Sequence, residues 1–296
     1  MRIGVDLGGT KIEIIALDDA SRETYRKRVP TPQDNYQAIL QSITELIRGC
    51  EKQQKRTADN IGIGIPGAVS PATGLIKNAN STCLIGHRLS TDIQNLLGRP
   101  VSIANDADCF ALSEAIDGNG KAYNSVFGVI LGTGVGGGIV INQKLLTGPN
   151  AICGEWGHNP MPWTNEAERS DRECYCGKKN CIETYLSGTG FSKAFNTVYN
   201  EKLNAEAIWK KAQTDDLHCK EHCEQYIDLL AKALSSVINV LDPEVIILGG
   251  GVSNQESIYP SVQERLDMYV FSDHVSTPIL KAKYGDSSGV RGAAWL

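Results

Sequence analysis

Hydrophobic positions recur along this chain in two alternating rhythms. A short apolar run from Ile3 to Leu7 ends in Asp6-Leu7-Gly8-Gly9. IEIIAL (12–17) follows Lys11, and TYRKRV (24–29) alternates apolar and polar residues. Such runs, punctuated by glycine, predict three successive strands. From Tyr36 to Ile47 the apolar residues Ile39, Ile43, Leu46 and Ile47 follow helical spacing. Ile61 to Ile65, closed by Pro66-Gly67, and Pro100 to Ala104 predict two further strands, and Asn105 to Ile116 a helix.

A second cycle starts near Asn124. SVFGVIL (125–131) reads as a buried strand, GTGVGGG (132–138) as a glycine turn, IVIN (139–142) as the returning strand and Gln143 to Leu146 as a third. Helices are predicted near Gly190 to Tyr199, Ala205 to Ala212 and Cys223 to Leu241. VIIL (245–248) gives another strand, Tyr259 to Tyr269 a helix, and Gly289 to Leu296 closes the chain. The repeated order predicts an α/β protein of two similar lobes with a ligand cleft between them. The DGNG turn at Asp117 to Gly120 marks the boundary, giving lobes 1–117 and 118–285. Residues from about 286 to 296 are expected to return to the first lobe.

Composition narrows the class. The 296 residues are 41% hydrophobic and 21% charged, with a net charge of −5. That balance fits a globular protein with a small-molecule partner and argues against a nucleic-acid surface. No apolar run approaches the roughly 20 residues of a membrane helix, and the N-terminus has no signal-peptide pattern. Nine cysteines without an export signal read as reduced thiols or metal ligands, which points to the cytoplasm.

The glycine turns DLGGTK (6–11) and LGTGVGGG (131–138) each follow an apolar strand. Gly132, Gly134 and Gly137 match the spacing of a dinucleotide fingerprint, but a strand rather than a helix follows, and the same holds for Gly8 to Lys11. Both are expected to be hairpins. They are either bare tight turns or phosphate cradles of backbone N–H groups. A third run, Gly249-Gly250-Gly251, clears room for a flat ring or a sugar. Asn105 and Asp106 stand where a strand meets a helix, a position that suits either helix capping or a cleft carboxylate. Asp6 is likewise a strand-end carboxylate, placed to hold Mg²⁺.

His158, Cys174, Cys176 and Cys181 fall within 24 positions, flanked by Glu155 and Glu183. Three thiolates and an imidazole form a closed tetrahedral set for structural zinc, although the CxC spacing is tighter than usual and thiols can also simply pack. HCKEHC (218–223) offers two i,i+4 pairs, either a second metal site or a helix start with buried cysteines. Arg26-Lys27-Arg28 reads as a solvated strand face.

Together, DLGGTK, GIGIPG (62–67), NDAD (105–108), LGTGVGGG, GEWGH (154–158), CYCGKKNCIE (174–183) and LGGG (248–251) resemble the ROK family of bacterial sugar kinases and related repressors. KNANST (77–82), GEWGHNPMPW (154–163) and GDSSGVRGAAWL (285–296) look like its fructokinase (mannofructokinase) branch. The resemblance implies a two-lobed actin-like (ribonuclease-H-like) ATPase fold, with a duplicated βββαβαβα core and a zinc-binding loop. It implies ATP-dependent phosphorylation of a hexose, D-fructose first, with mannose or glucose possible. An N-acetylhexosamine (N-acetylglucosamine) kinase and a non-catalytic sugar-sensing protein are the alternatives.

By the same resemblance Asp106 is the general base, and Asn80, Asn105, Glu155, His158 and Glu183 bind sugar. Gly8, Gly9, Thr10, Lys11, Gly132, Thr133 and Gly134 face the phosphates of ATP, and Gly249, Gly250 and Gly251 lie near the nucleoside. His158, Cys174, Cys176 and Cys181 hold Zn²⁺, and Asp6 holds Mg²⁺. A homodimer is implied. Asn180 stands where the family commonly has glycine. A repressor of this family would need a DNA-binding segment ahead of DLGGTK, where five residues precede Asp6.

Overall fold

The computed structural model describes residues 1–79, 81–166, 168–169 and 171–296. Two five-stranded sheets carry the fold. In the first, β1 (Arg2–Leu7), β2 (Lys11–Leu17) and β3 (Glu23–Pro30) form an antiparallel meander, and β4 (Asn60–Ile65) and β7 (Ser102–Asn105) continue it in parallel, in the order β3-β2-β1-β4-β7. The second repeats this plan with β8 (Ser125–Leu131), β9 (Val135–Ile141), β10 (Lys144–Leu145), β11 (Val245–Gly249) and β12 (Ile279–Lys281), in the order β10-β9-β8-β11-β12. This duplicated α/β plan is that of the actin-like ATPase fold.

Each sheet has its own apolar core. Helix α1 (Tyr36–Gln54) is capped by Asn35, whose side chain accepts from the Ala38 amide at 3.0 Å. Its face of Ile39, Ile43 and Ile47 is fully buried against Ile3, Val5 and Leu7 of β1. Each such side chain stabilises the fold by about 1.5–3 kcal/mol. In the second half, α7 (Leu217–Leu241) supplies Leu230 and Leu234 to a core shared with Val129 and Leu131 of β8.

Helix α3 (Asp106–Ile116) packs against both sheets and against the last helix, α9 (Ser288–Ala293). The contact between α3 and α9 is flush. A Cβ on Gly292 would lie 1.6 Å from the Cys109 carbonyl oxygen, and one on Gly62 of β4 would lie 1.8 Å from the Ala293 carbonyl oxygen. Only glycine fits at either place.

Several elements depart from the sequence expectation. The β5 (Ala68–Val69) and β6 (Ile76–Lys77) hairpin, α2 (Leu89–Leu97) and β12 were not anticipated; all are short or broken by glycine and polar residues. Helix α7 begins six residues before the expected Cys223. The glycine turn of the second half is only Gly132-Thr133-Gly134; Gly136, Gly137 and Gly138 belong to β9. They are small there because α3 and the 154–156 segment lie on the strand. A Cβ on Gly138 would meet the Ala107 carbonyl at 2.8 Å, and one on Gly137 the Gly154 carbonyl at 2.9 Å.

Candidate active site

The parallel strands β1, β4 and β7 are neighbours, and their C-terminal ends deliver Asp6, Gly67 and Asn105-Asp106 to one edge. Open α/β sheets bind ligands at that edge. Asn105 is the N-cap of α3: its Oδ1 accepts from the Ala107 amide at 2.8 Å, and its Nδ2 donates to the Gly67 carbonyl at 3.0 Å. The cap thus also pins the end of β7 to Gly67. Asp106 Oδ1 shares the same amide at 2.9 Å, which fixes the carboxyl while its side chain opens to solvent.

The acids here repel one another. Protein around Asp106 and the charge of Glu155 hold its carboxyl above the usual range, against hydrogen bonds from the backbone amides of 106–107 and from Asn105. Asp6 is pushed up to about 6, first by burial, then by Asp106 and Glu13, with Lys11 and Arg28 opposing. Asp108, two residues along α3, is pushed up to about 7 by burial and by Glu155 and Asp106; among the described residues its buried Oδ1 has no partner. A cluster of destabilised carboxylates at a strand edge suits either proton acceptance or cation binding.

Behind Asp6, the run Arg26-Lys27-Arg28 does more than face solvent. Arg26 and Arg28 both reach Glu13, which is 1% exposed, with the Arg28 Nε 2.8 Å from its carboxylate.

The second half contributes the His158 cluster. The four candidate ligand atoms of His158, Cys174, Cys176 and Cys181 lie within 4.8 Å of one another. The Cys174 Sγ to His158 Nδ1 and Cys176 Sγ to Cys181 Sγ separations are both 3.6 Å. Zinc bonds of ordinary length in a tetrahedron put ligand atoms about 3.8 Å apart, so the donor set fits zinc in both geometry and chemistry. Asn180 adopts a left-handed φ of 57°, and its side-chain oxygen accepts from the Arg172 amide at 2.9 Å and the Tyr185 hydroxyl at 3.1 Å. Asparagine thus replaces glycine in the loop without distorting it.

His158 Nε2 is not left open to the cleft. It is 3.0 Å from the hydroxyl of Tyr175, whose ring meets the imidazole edge-on. Burial, then the charges of Glu183 and Glu155, push the Tyr175 phenol up to about 12. Glu183 opens α4 (Glu183–Leu186), and its Oε2 accepts from the Val135 amide at 3.0 Å, tying the cysteine loop to the turn at Gly132-Thr133-Gly134.

Behind that turn lies a cavity of about 1180 Å³, lined among others by Gly132, Thr133, Gly188, Thr189, Gly251 and Asn254. It has the size for a nucleotide. Helix α5 (Gly188–Tyr199) starts at its wall, where the Gly188 amide donates to the Gly132 carbonyl at 2.7 Å. Gly134, Gly249 and Gly250 do not line this cavity, nor do Gly8, Gly9, Thr10 and Lys11, which form the β1–β2 turn in the other half. A Cβ on Gly250, at φ +83° just past β11, would instead lie 2.5 Å from the Leu131 carbonyl oxygen, so this glycine serves a close backbone approach. Asn80 lies outside the described residues.

The profile of the ROK family matches residues 2–296. The chain belongs to the ROK family. N-acetyl-D-glucosamine kinases of Yersinia enterocolitica and Salmonella paratyphi C are 39% and 40% identical to this ROK protein over 300 residues, covering 100% of this chain and 99% of each relative. Among solved structures, a ROK hexokinase from Thermus thermophilus superposes with a TM-score of 0.88 at 26% identity, covering 99% of this chain and 96% of that one. A ROK glucokinase from Streptomyces griseus, in complex with glucose and AMPPNP, superposes at 0.78 and 26% identity, covering 99% and 97%. This ROK protein is therefore an ATP-dependent sugar kinase.

The expectation of fructose as substrate is overturned, because these full-length relatives are N-acetyl-D-glucosamine kinases. One of the motifs that suggested the fructokinase branch is scaffolding, and another is partly so. GDSSGVRGAAWL builds the end of the chain around α9, pressed under β1 and β4, and in GEWGHNPMPW the indole of Trp156 donates to the Gly136 carbonyl at 3.1 Å. Residues chosen for packing do not report the substituents of a sugar.

HCKEHC lies on the first turns of α7. Cys219 and Cys223 are buried, and His222 Nε2 contacts the Phe191 carbonyl at 2.9 Å. Among the described residues only the His158 group gathers metal-ligand atoms. Sequence reasoning missed Tyr175, Asp108, and the Gly188-Thr189 wall. Tyr175 carried a signal, an aromatic residue between two candidate ligands; the other two carried none.

Proposed function

We propose that this kinase phosphorylates an N-acetylated hexosamine, N-acetyl-D-glucosamine, at the expense of ATP. The observation that carries this reading is full-length identity of about 40% to N-acetyl-D-glucosamine kinases. The Asp106–Asp6 pair at the edge of the first sheet supports the chemistry.

In this reading Asp106 takes the proton of the attacking hydroxyl, and its raised carboxyl is a better acceptor for that step. Asn105 anchors the helix start beside it, while Glu155, His158 and Glu183 hold the sugar. The nucleotide lies in the cavity beside Gly132 and Thr133, with Gly9, Thr10 and Lys11 facing its terminal phosphate. Phosphoryl transfer asks mainly for positioning and charge neutralisation, and a Mg²⁺ ion at Asp6 would offset the carboxylate cluster. Zinc would be held by His158, Cys174, Cys176 and Cys181, where it would keep the thiolates together and fix the imidazole.

All nine cysteines are free thiols, which supports a cytoplasmic setting, and no helix among the described residues is long and apolar enough to cross a membrane. A homodimer follows from the family resemblance.

The test is a coupled assay with ATP and Mg²⁺ across N-acetylglucosamine, N-acetylmannosamine, glucose, mannose and fructose. N-acetylglucosamine is expected to give the highest kcat/KM, by at least about tenfold over the non-acetylated sugars. Turnover of fructose or glucose with none of either acetylated sugar would overturn the assignment.

A further inference from the structure

Tyr175 is an aromatic residue left 78% exposed between two candidate zinc ligands, with Cys174 buried on one side. Among the described residues its hydroxyl has one polar partner, His158 Nε2, at 3.0 Å. The other ring nitrogen, Nδ1, faces Cys174 Sγ at 3.6 Å, on the thiol side. When Nδ1 is a metal ligand, the imidazole carries its proton on Nε2 and can only donate there. The phenol oxygen is the acceptor. A sugar hydroxyl presents the same kind of oxygen to the same N–H.

We propose that Tyr175 is a placeholder for substrate: its hydroxyl occupies the hydrogen-bond position on His158 Nε2 that one hydroxyl of the sugar takes, and the sugar must displace it. This rests on the sugar-kinase reading of the cleft. The residue then sets selectivity, because a sugar lacking an oxygen at that position cannot displace the phenol. It also keeps the imidazole N–H satisfied in the absence of sugar. The apparent affinity of a site is reduced by the fraction of molecules in which it is internally occupied. A hydrogen bond of ordinary net strength makes that reduction about 2- to 12-fold.

The experiment compares the zinc-loaded native protein with Tyr175→Phe and Tyr175→Leu by calorimetric titration with N-acetylglucosamine, glucose, mannose and fructose, without nucleotide. Zinc content and thermal melting are measured alongside. Both variants are expected to retain zinc and to bind sugar about 2- to 12-fold more tightly. With a series of monodeoxy analogues, the tightening should vanish for one position of the ring, the one that meets Nε2.

Unchanged or weaker binding in both zinc-retaining variants would overturn the proposal, as would equal tightening for every analogue. If Tyr175→Phe loses zinc, Tyr175→Leu decides, and loss of zinc in both also overturns it, since the tyrosine would then be part of the metal scaffold. Failure of the native protein to bind any of these sugars would instead remove the functional reading, and this proposal with it.

Discussion

Asp6 on β1 lies directly opposite Glu13 on β2, two acids facing each other across a strand pair. Arg28 lies opposite Glu13 on β3, and both Arg28 and Arg26 bond it. Burial first, then Asp106 and Glu13, push the Asp6 carboxyl up to about 6 from an ordinary 3.8. A folded pKa above the unfolded one means that the native state binds more protons between pH 4 and 6. Stability from this group is therefore full below about pH 4 and is lost as pH rises through 6, an effect on the order of 2–3 kcal/mol at most.

Replacing Asp6 by Asn should accordingly stabilise the protein while removing activity. The metal-free variant is expected to melt several degrees above the native protein at pH 8, and the gap should shrink at pH 4. A constant gap at both values would remove ionisation of Asp6 as its cause.

Asp106→Asn keeps the shape of the helix start but cannot accept a proton. Its kcat should fall by at least about 10²- to 10⁴-fold, with sugar affinity within a few-fold of native. In the native enzyme kcat/KM should fall as pH drops through a pKa above the ordinary carboxylate range, since the base must be ionised. Comparable turnover in the variant would exclude Asp106 as the base.

Glu183 joins the cysteine loop to the Gly132-Thr133-Gly134 turn through the Val135 amide. Glu183→Ala should therefore raise the KM for both sugar and ATP, whereas a residue serving the sugar alone would move only one. Steady-state kinetics with each substrate varied in turn separates the two.

Stripping zinc with a chelator should release about one ion per chain, lower the melting temperature and raise the KM for sugar. If a fully demetallated protein kept its kcat/KM, the metal would have no part in shaping the site.

Gly292→Ala would place a methyl 1.6 Å from the Cys109 carbonyl oxygen. The backbone of α3 or α9 must shift to admit it, so stability should fall by about 3 kcal/mol or more, read from urea denaturation. The same substitution at Gly49, an exposed position inside α1 where a Cβ has nothing within 4 Å, should instead stabilise by about 0.5–1 kcal/mol.

Much of this was readable from the residues. The strands of both meanders, helices α1, α3 and α6 (Ala205–Ala212) and the cysteine cluster announced themselves through periodicity or spacing. What stayed hidden depends on pairs distant in sequence. The three glycines of β9 read as a turn, because nothing in GTGVGGG says that α3 will lie on the strand. Arg26 and Arg28 read as a solvated face, because the buried Glu13 they neutralise belongs to another strand. Likewise Glu183 gave no hint of its bond to Val135, 48 positions away. Relatives were needed to correct the sugar, since nothing in the branch-like motifs reports the substituents of the ring.

Helix α3 touches both sheets and also carries Asp106 at its first position. A change that loosens the seam between α3 and α9 would therefore reach the placement of that carboxylate as well as the scaffold.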